Sequence, residues 1–306
     1  MARRVTRRHY RQLMSDSARW DGFELRDGDI IIDTPVKSGT TWMQMCVALV
    51  IFQTPDLPRP MAELSPWLDM LTATREDVVA LLDAQQHRRF IKTHTPLDGV
   101  PDDPRVTYIC VGRDPRDVAR SLENHLTNWS VDALLEARAR AVGVDEVNPA
   151  DVPVDLTEDP VEWFWTWVDA EDSWGGLAPL LEHLQTFWDR RDEPNVHLFH
   201  YADLERDLPG QLRRLADALH VDVREERWDV LVDAATFSAM KARADVLAPN
   251  TNHGLWKSNS QFFDHGRSGR WRDWITDETL PRYEARVAEL VTADLAHWAH
   301  HGWLDA

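Results

Sequence analysis

Cysteine is almost absent: Cys46 and Cys110 are the only two in 306 residues. Both sit in apolar runs without CxxC or Cys/His spacing, so neither a disulfide framework nor a zinc site is indicated and buried, reduced thiols are expected. Positive charge is also short, with 34 Lys and Arg against 52 Asp and Glu and a net charge of −18. A bulk field of that sign works against nucleic acid or an anionic membrane as a large-area partner, so an anionic ligand must find local positive sites. Long hydrophobic runs are missing too. The longest, Met45 to Phe52, is far too short to span a bilayer, and the five arginines of the opening MARRVTRRHYRQ have no apolar stretch of a secretory signal behind them. A cytoplasmic protein without a membrane span is expected, with a basic segment over residues 1–20 that is solvated and poorly ordered. No repeat of about 20 to 50 residues recurs and no long Gly/Ser/Pro linker divides the chain, which points to one domain over residues 1–306.

What the chain does have is a set of short β-type runs, each leading into a helical pattern. Asp29 to Thr34 (DIIIDT), Val106 to Val111 (VTYICV) and Val196 to Tyr201 (VHLFHY) stand out, with a weaker run at Arg89 to Lys92. Apolar continuity in the first two suits strands covered on both faces. After the first, Trp42, Met45, Cys46, Leu49 and Val50 fall on a helical stripe; after the second, Asp114, Pro115 and Asp117 take the N-cap, N1 and N3 positions of a helix; after the third come Leu208, Leu212, Leu215, Ala216 and Leu219. Repeated strand-then-helix units predict an α/β fold, a single domain with a central, mostly parallel sheet flanked by helices and ligands at the carboxyl ends of the strands. Residues 130–160, acidic and poor in apolar side chains, read as a surface excursion of the kind that serves as a lid. Trp163, Trp167 and Trp174 read as packing residues, with an aromatic acceptor pocket as the alternative.

The first strand ends in Pro35-Val36-Lys37-Ser38-Gly39-Thr40-Thr41 and then a helix. Backbone N–H groups and the helix dipole converge on an anion at such a junction. Gly39 lets the backbone come close, Lys37 adds a full charge, the hydroxyls of Ser38, Thr40 and Thr41 are donors, and Trp42 can stack beside an aromatic base. The loop is not a Walker A sequence, because Lys37 precedes its only glycine, and no Mg²⁺ arrangement accompanies it. A transferred group with less charge than a γ-phosphate fits better.

These residues resemble the 5′-phosphosulfate loop of cytosolic-type sulfotransferases, usually written YPKSGTTW, with Thr34 and Val36 as departures. The resemblance continues through Phe90-Ile91-Lys92-Thr93-His94-Thr95-Pro96-Leu97, Val111 to Ser121, Tyr201-Ala202-Asp203-Leu204, Thr236 to Met240 and Gly266-Arg267-Ser268-Gly269-Arg270-Trp271, nearly the whole chain. It implies a P-loop NTPase-like sulfotransferase fold and transfer of a sulfuryl group, without metal, from 3′-phosphoadenosine 5′-phosphosulfate (PAPS) to a hydroxyl or amine of a small acceptor, leaving 3′-phosphoadenosine 5′-phosphate (PAP). His94, with a near-neutral pKa, suits the general base. Lys37 stabilises charge on the leaving phosphate, and Lys92, on the same side of an extended chain as His94, reaches the sulfuryl oxygens. Arg113 and Ser121 are implied to hold the 3′-phosphate, the competing reading being a salt bridge from Arg113 to Asp117. Tyr201, Thr236, Phe237 and Met240 fall near the adenine. Gly266 and Arg267 belong to the last motif, where Asp264 and His265 replace the usual Arg-Lys. The family's dimerisation pattern is not recognisable in Arg272 to Pro281, which leaves the oligomeric state open. A nucleotide-dependent kinase and a non-catalytic nucleotide sensor are the rival functions.

Overall fold

The computed structural model describes residues 7–144, 156–171, 175–247, 254–263 and 268–304. Four parallel strands form one sheet: β1 (Ile30–Asp33), β2 (Phe90–Thr93), β3 (Thr107–Gly112) and β4 (Val196–His200), in the order β2-β1-β3-β4. Successive side chains of a strand point to opposite faces, and two cores divide accordingly. Ile31, Ile91, Tyr108 and Cys110 pack on one side with Trp163, Phe164, Trp167, Phe187 and Trp298. Ile30, Ile32, Phe90, Ile109, Val111 and Phe199 pack on the other with Met43, Val47, Leu212 and Leu231. This is why the strands read as continuous apolar runs: neither face meets water. The indoles of Trp163 and Trp167 are core; Trp174 lies outside the described residues. Both thiols are buried and free, and burial pushes that of Cys46 up to about 12 and that of Cys110 well above its usual range.

Each strand runs into its helix as capping chemistry dictates. Helix α1 (Thr40–Phe52) starts at Gly39, whose φ of 107° is open to glycine and costly for other residues. In α2 (Pro115–Thr127), the Asp114 carboxylate accepts from the Arg116 N–H and Pro115 occupies the first turn. The expected stripe on α1 is an understatement, since every residue from Thr40 to Val50 is buried. Helices Leu208–Ala218 and Trp228–Ala235 cover its far side, and only its last two residues, Ile51 and Phe52, are partly exposed.

Two expectations need correction. From Arg7 on, the arginine-rich terminus is not loose: the Arg8 N–H donates to the Asp98 carbonyl at 3.0 Å, and Leu13, Met14 and Trp20 are buried. Apolar side chains after the arginines anchor it. The acidic segment opens with a packed helix, α3 (Val131–Val142), in which Leu134 and Ala137 are buried and Arg138 donates to the Leu13 carbonyl at 3.3 Å. Residues 145–155, on which the lid reading falls, lie outside the described residues.

Candidate active site

The carboxyl ends of β1, β2 and β3 open into a cleft of ≈ 1180 Å³, part of it open solvent. In a chain with a net charge of −18, the described residues of its wall carry five cationic side chains, Lys37, Lys92, Arg113, Arg120 and Arg270, and one carboxylate, Asp117. The local field is thus opposite to that of the whole molecule.

The turn after β1 supplies the first part. Lys37 has a φ of 63°, a left-handed conformation that costs a non-glycine residue about 1 kcal/mol or more and that clusters at functional sites. Its carbonyl accepts from Arg113 Nη1 at 2.9 Å, which ties the loops after β1 and β3 together. Its Nζ donates to His125 Nδ1 at 3.3 Å and lies 4.7 Å from the centroid of the Phe262 ring. A Cβ on Gly39 would come within 3.1 Å of the ring of Tyr201, just after β4, a tight contact that adds to the demand its positive φ makes for glycine. Thr40 and Thr41 line the cleft, Thr40 with its hydroxyl 2.5 Å from that of Thr34. Ser38 does not line it: its hydroxyl is buried and has no hydrogen-bond partner among the described residues.

His94 stands just past β2, half-buried on the cleft wall. Its Nδ1 lies 2.7 Å from the Thr34 carbonyl, which can only accept, so Nδ1 carries the proton and Nε2 is left as a base. Burial, then the positive charge of Lys92, hold its pKa well below the imidazole range. Burial also lowers the ammonium of Lys92 to about 8; its Nζ sits 4.4 Å from the Trp67 ring centroid. Beneath both, the buried Asp69 Oδ2 accepts from Trp20 Nε1 at 3.0 Å, Thr93 Oγ1 at 2.7 Å and Thr95 Oγ1 at 2.6 Å, clamping the residues on either side of His94. Replacing Asp69 by alanine leaves three buried donors without an acceptor. The expected cost is about 2–4 kcal/mol in urea denaturation, with Asp69→Asn, which keeps an acceptor oxygen, losing less than half as much. Equal losses for both would show that the hydrogen bonds contribute nothing.

Arg113 lies with its guanidinium 4.2 Å from the Tyr201 ring centroid, and its Nε is buried without a hydrogen-bond partner among the described residues. No ion pair joins it to Asp117 among them. Asp117 instead accepts from the backbone N–H groups of Gly269 at 2.7 Å and Arg270 at 3.1 Å, bringing the last motif onto α2. Ser121 lines the cleft one turn further along. Gly266 and Arg267, with Asp264 and His265, lie outside the described residues.

On the other side of the loop, Trp42, Tyr201, Phe237 and Met240 form an apolar wall. The Trp42 indole is held edge-on to Tyr201 at 5.0 Å, its Nε1 donating to the Ala235 carbonyl at 2.8 Å. Thr236 is not on this wall: its hydroxyl donates to the Asp233 carbonyl at 2.8 Å and caps the helix Phe237–Ala242 by accepting from the Ala239 N–H at 3.3 Å.

Sequence reasoning missed the third part, a group of aromatic side chains beyond His94 and Lys37, Trp67, His125, Trp129, Trp256 and Phe262, with Met14 beside them. His125 touches the rings of Trp129, Trp256 and Phe262 at 5.6, 4.7 and 5.8 Å, and burial keeps it neutral at pH 7, its pKa far below the ordinary value. Helical spacing contained a signal for it, since positions 117, 121 and 125 share one face of α2. Nothing local pointed to Met14 or Trp256.

A parallel sheet, a cationic strand-to-helix turn with a deep apolar wall on one side, and a neutral histidine facing an aromatic chamber define a class: an α/β enzyme that moves an anionic group from a nucleotide to a second substrate. The sulfotransferase domain family matches residues 27–293, and the chain belongs to it. It is a PAPS-dependent sulfotransferase. It is 46% identical to a glycolipid sulfotransferase of Mycobacterium bovis (strain BCG / Pasteur 1173P2) over 96% of this chain and 94% of that one. The luciferin sulfotransferase of Photinus pyralis is 24% identical over 86% and 71% of the two chains. Among solved structures, retinol dehydratase in a complex with retinol and PAP superposes with a TM-score of 0.69 at 23% identity, over 90% of this chain and 85% of that one. A mouse sulfotransferase complexed with PAP gives 0.68 at 19% identity, over 94% and 91%. At such identities these two speak for the fold.

Proposed function

We propose that the enzyme sulfates a hydroxyl of a small, partly apolar acceptor, with His94 as general base and Lys37 and Lys92 as the electrostatic groups around the reacting centre. PAPS supplies the sulfuryl group. The chain's features suit it: a positive loop at a helix N-terminus, a glycine where backbone must come close, and a buried guanidinium nitrogen at Arg113 without a hydrogen-bond partner among the described residues. Lys37, Thr40 and Thr41, with the backbone of Ser38 and Gly39, would hold its 5′ end, Arg113 and Ser121 its 3′-phosphate, and Trp42, Tyr201, Phe237 and Met240 its base. Gly266 and Arg267 remain assigned to it by resemblance, whereas the capping bonds of Thr236 argue for a role in supporting Phe237.

The observation that carries the reading is the hydrogen bond from His94 Nδ1–H to the Thr34 carbonyl, which leaves Nε2 unprotonated on the wall shared with Lys37. A base fixed in that tautomer takes the acceptor's proton at Nε2 while the neighbouring lysines supply positive charge. The aromatic chamber excludes water and binds the acceptor's apolar part, a reading in keeping with the glycolipid sulfotransferases among the relatives. The family's cytosolic-type members favour the cytoplasm as the place of reaction; no described helix is long and apolar enough to cross a membrane. No group of three or more His, Cys, Asp or Glu that could hold a metal occurs among the described residues.

PAP at about 100 times its dissociation constant should stabilise the protein by about 2.7 kcal/mol, raising the melting temperature by roughly 4 °C. Turnover with PAPS should persist in EDTA. A melting curve indifferent to millimolar PAP sinks the proposal, and EDTA-sensitive turnover favours Mg²⁺-dependent phosphoryl transfer.

A further inference from the structure

A second cavity, ≈ 830 Å³ and partly open to solvent, adjoins the cleft at Val36 and His94, which line both. Its character is different. The polar part of its wall is Arg8, Arg11, Gln12, Glu171, Glu182 and His183, where the chamber across His94 is aromatic. Two guanidinium groups and two carboxylates line it, each already in an ion pair, Arg8 with Glu182, Arg11 with Asp16 and Glu171 with Arg286. An anion would meet carboxylates here and an alkyl chain would meet charge. A neutral polyol, each of whose hydroxyls both donates and accepts, is matched by donors and acceptors set side by side.

The inner wall of the cavity includes a buried histidine that is paired with a carboxylate behind it. His183, 3% exposed, places Nε2 2.9 Å from Oδ1 of Asp33, which is wholly buried at the end of β1. That contact pairs the two groups with each other, and Asp33 Oδ2 has no hydrogen-bond partner among the described residues. The His183 ring is stacked on Phe187 at 6.0 Å with planes 14° apart, which sets its orientation. Buried polar atoms without partners are rare in native structures.

We propose that this cavity receives the neutral sugar portion of the acceptor, presenting one ring hydroxyl to His94 Nε2, while the apolar remainder occupies the aromatic chamber. The inference rests on the sulfuryl-transfer reading and deepens it, dividing the acceptor between a polar and an apolar subsite that meet at the base.

The test uses the full chain loaded with PAP, titrated with n-octyl β-D-glucopyranoside below its micellar concentration and, separately, with 1-octanol. The glucoside should bind about tenfold more tightly or better. Because His183→Leu would strand Asp33 and endanger folding, the informative variant is the double substitution Arg8→Ala with Gln12→Ala at the cavity rim. It should weaken the glucoside by about fivefold or more, leaving 1-octanol and the PAP melting shift unchanged. Equal affinity for the two probes overturns the proposal, as does a parallel loss of both in the variant. A parent chain whose melting ignores PAP fails earlier and for another reason, since it removes sulfuryl transfer itself.

Discussion

Replacing His94 by alanine should lower kcat by about 10²-fold or more with PAP affinity unchanged within about twofold, because the base is lost and the nucleotide's holders are not. The environment makes the expectation specific. Nδ1–H is committed to the Thr34 carbonyl at 2.7 Å, so glutamine, which can offer an amide to that carbonyl but has no basic atom for the substrate, should be nearly as poor as alanine. The pH profile follows from the same surroundings. Burial and the Lys92 charge depress the His94 pKa, so the acid limb of kcat/KM should lie below the usual imidazole range and activity should hold at pH 6. Burial also lowers Lys92 to about 8, so a basic limb should appear as pH rises through that value and the ammonium discharges. Lys92→Met should flatten that limb. Turnover within about threefold of the parent in His94→Ala would remove histidine from the chemistry.

The second large effect is expected at Lys37. Its ammonium is held at the boundary between the nucleotide half of the cleft and the aromatic half, bonded to neutral His125 and resting on Phe262. A charge there is exposed to little solvent and stabilises developing negative charge without reorganisation, so Lys37→Ala should cost about 10²- to 10³-fold in kcat. The backbone offers a control. With φ at 63°, Lys37→Gly relieves the local strain that alanine keeps, so glycine should restore melting temperature relative to alanine and leave kcat as low. Single-turnover sulfuryl transfer measures the step directly. Recovery of rate with glycine would mean that loop geometry, not charge, was lost.

How much of this could be read before folding varies by residue. The loop after β1 was legible because its functions are local: a helix start, a glycine at positive φ and a lysine among hydroxyls act within a few residues of one another. The strands were legible to within about a residue because sheet burial on both faces leaves apolar runs. Ser38 and Thr236 show where local chemistry misleads. A hydroxyl in the right motif can turn inward, as at Ser38, or satisfy its own helix, as at Thr236. The terminus after Arg7 misled for a similar reason: its arginines suggest solvent, whereas Leu13, Met14 and Trp20 decide its place.

The amino-acid sequence alone therefore determined the fold class and the cationic strand-to-helix turn, since propensity, capping and alternation are properties of neighbours along the chain. Only the tertiary structure decided what these groups meet. Lys37 finds His125 88 positions away, and Asp117 takes the Gly269 amide across 152. Contacts of that range follow from which helices cover which face of the sheet, and no local pattern encodes them. The aromatic chamber, and the polar cavity that joins it at His94, exist for that reason.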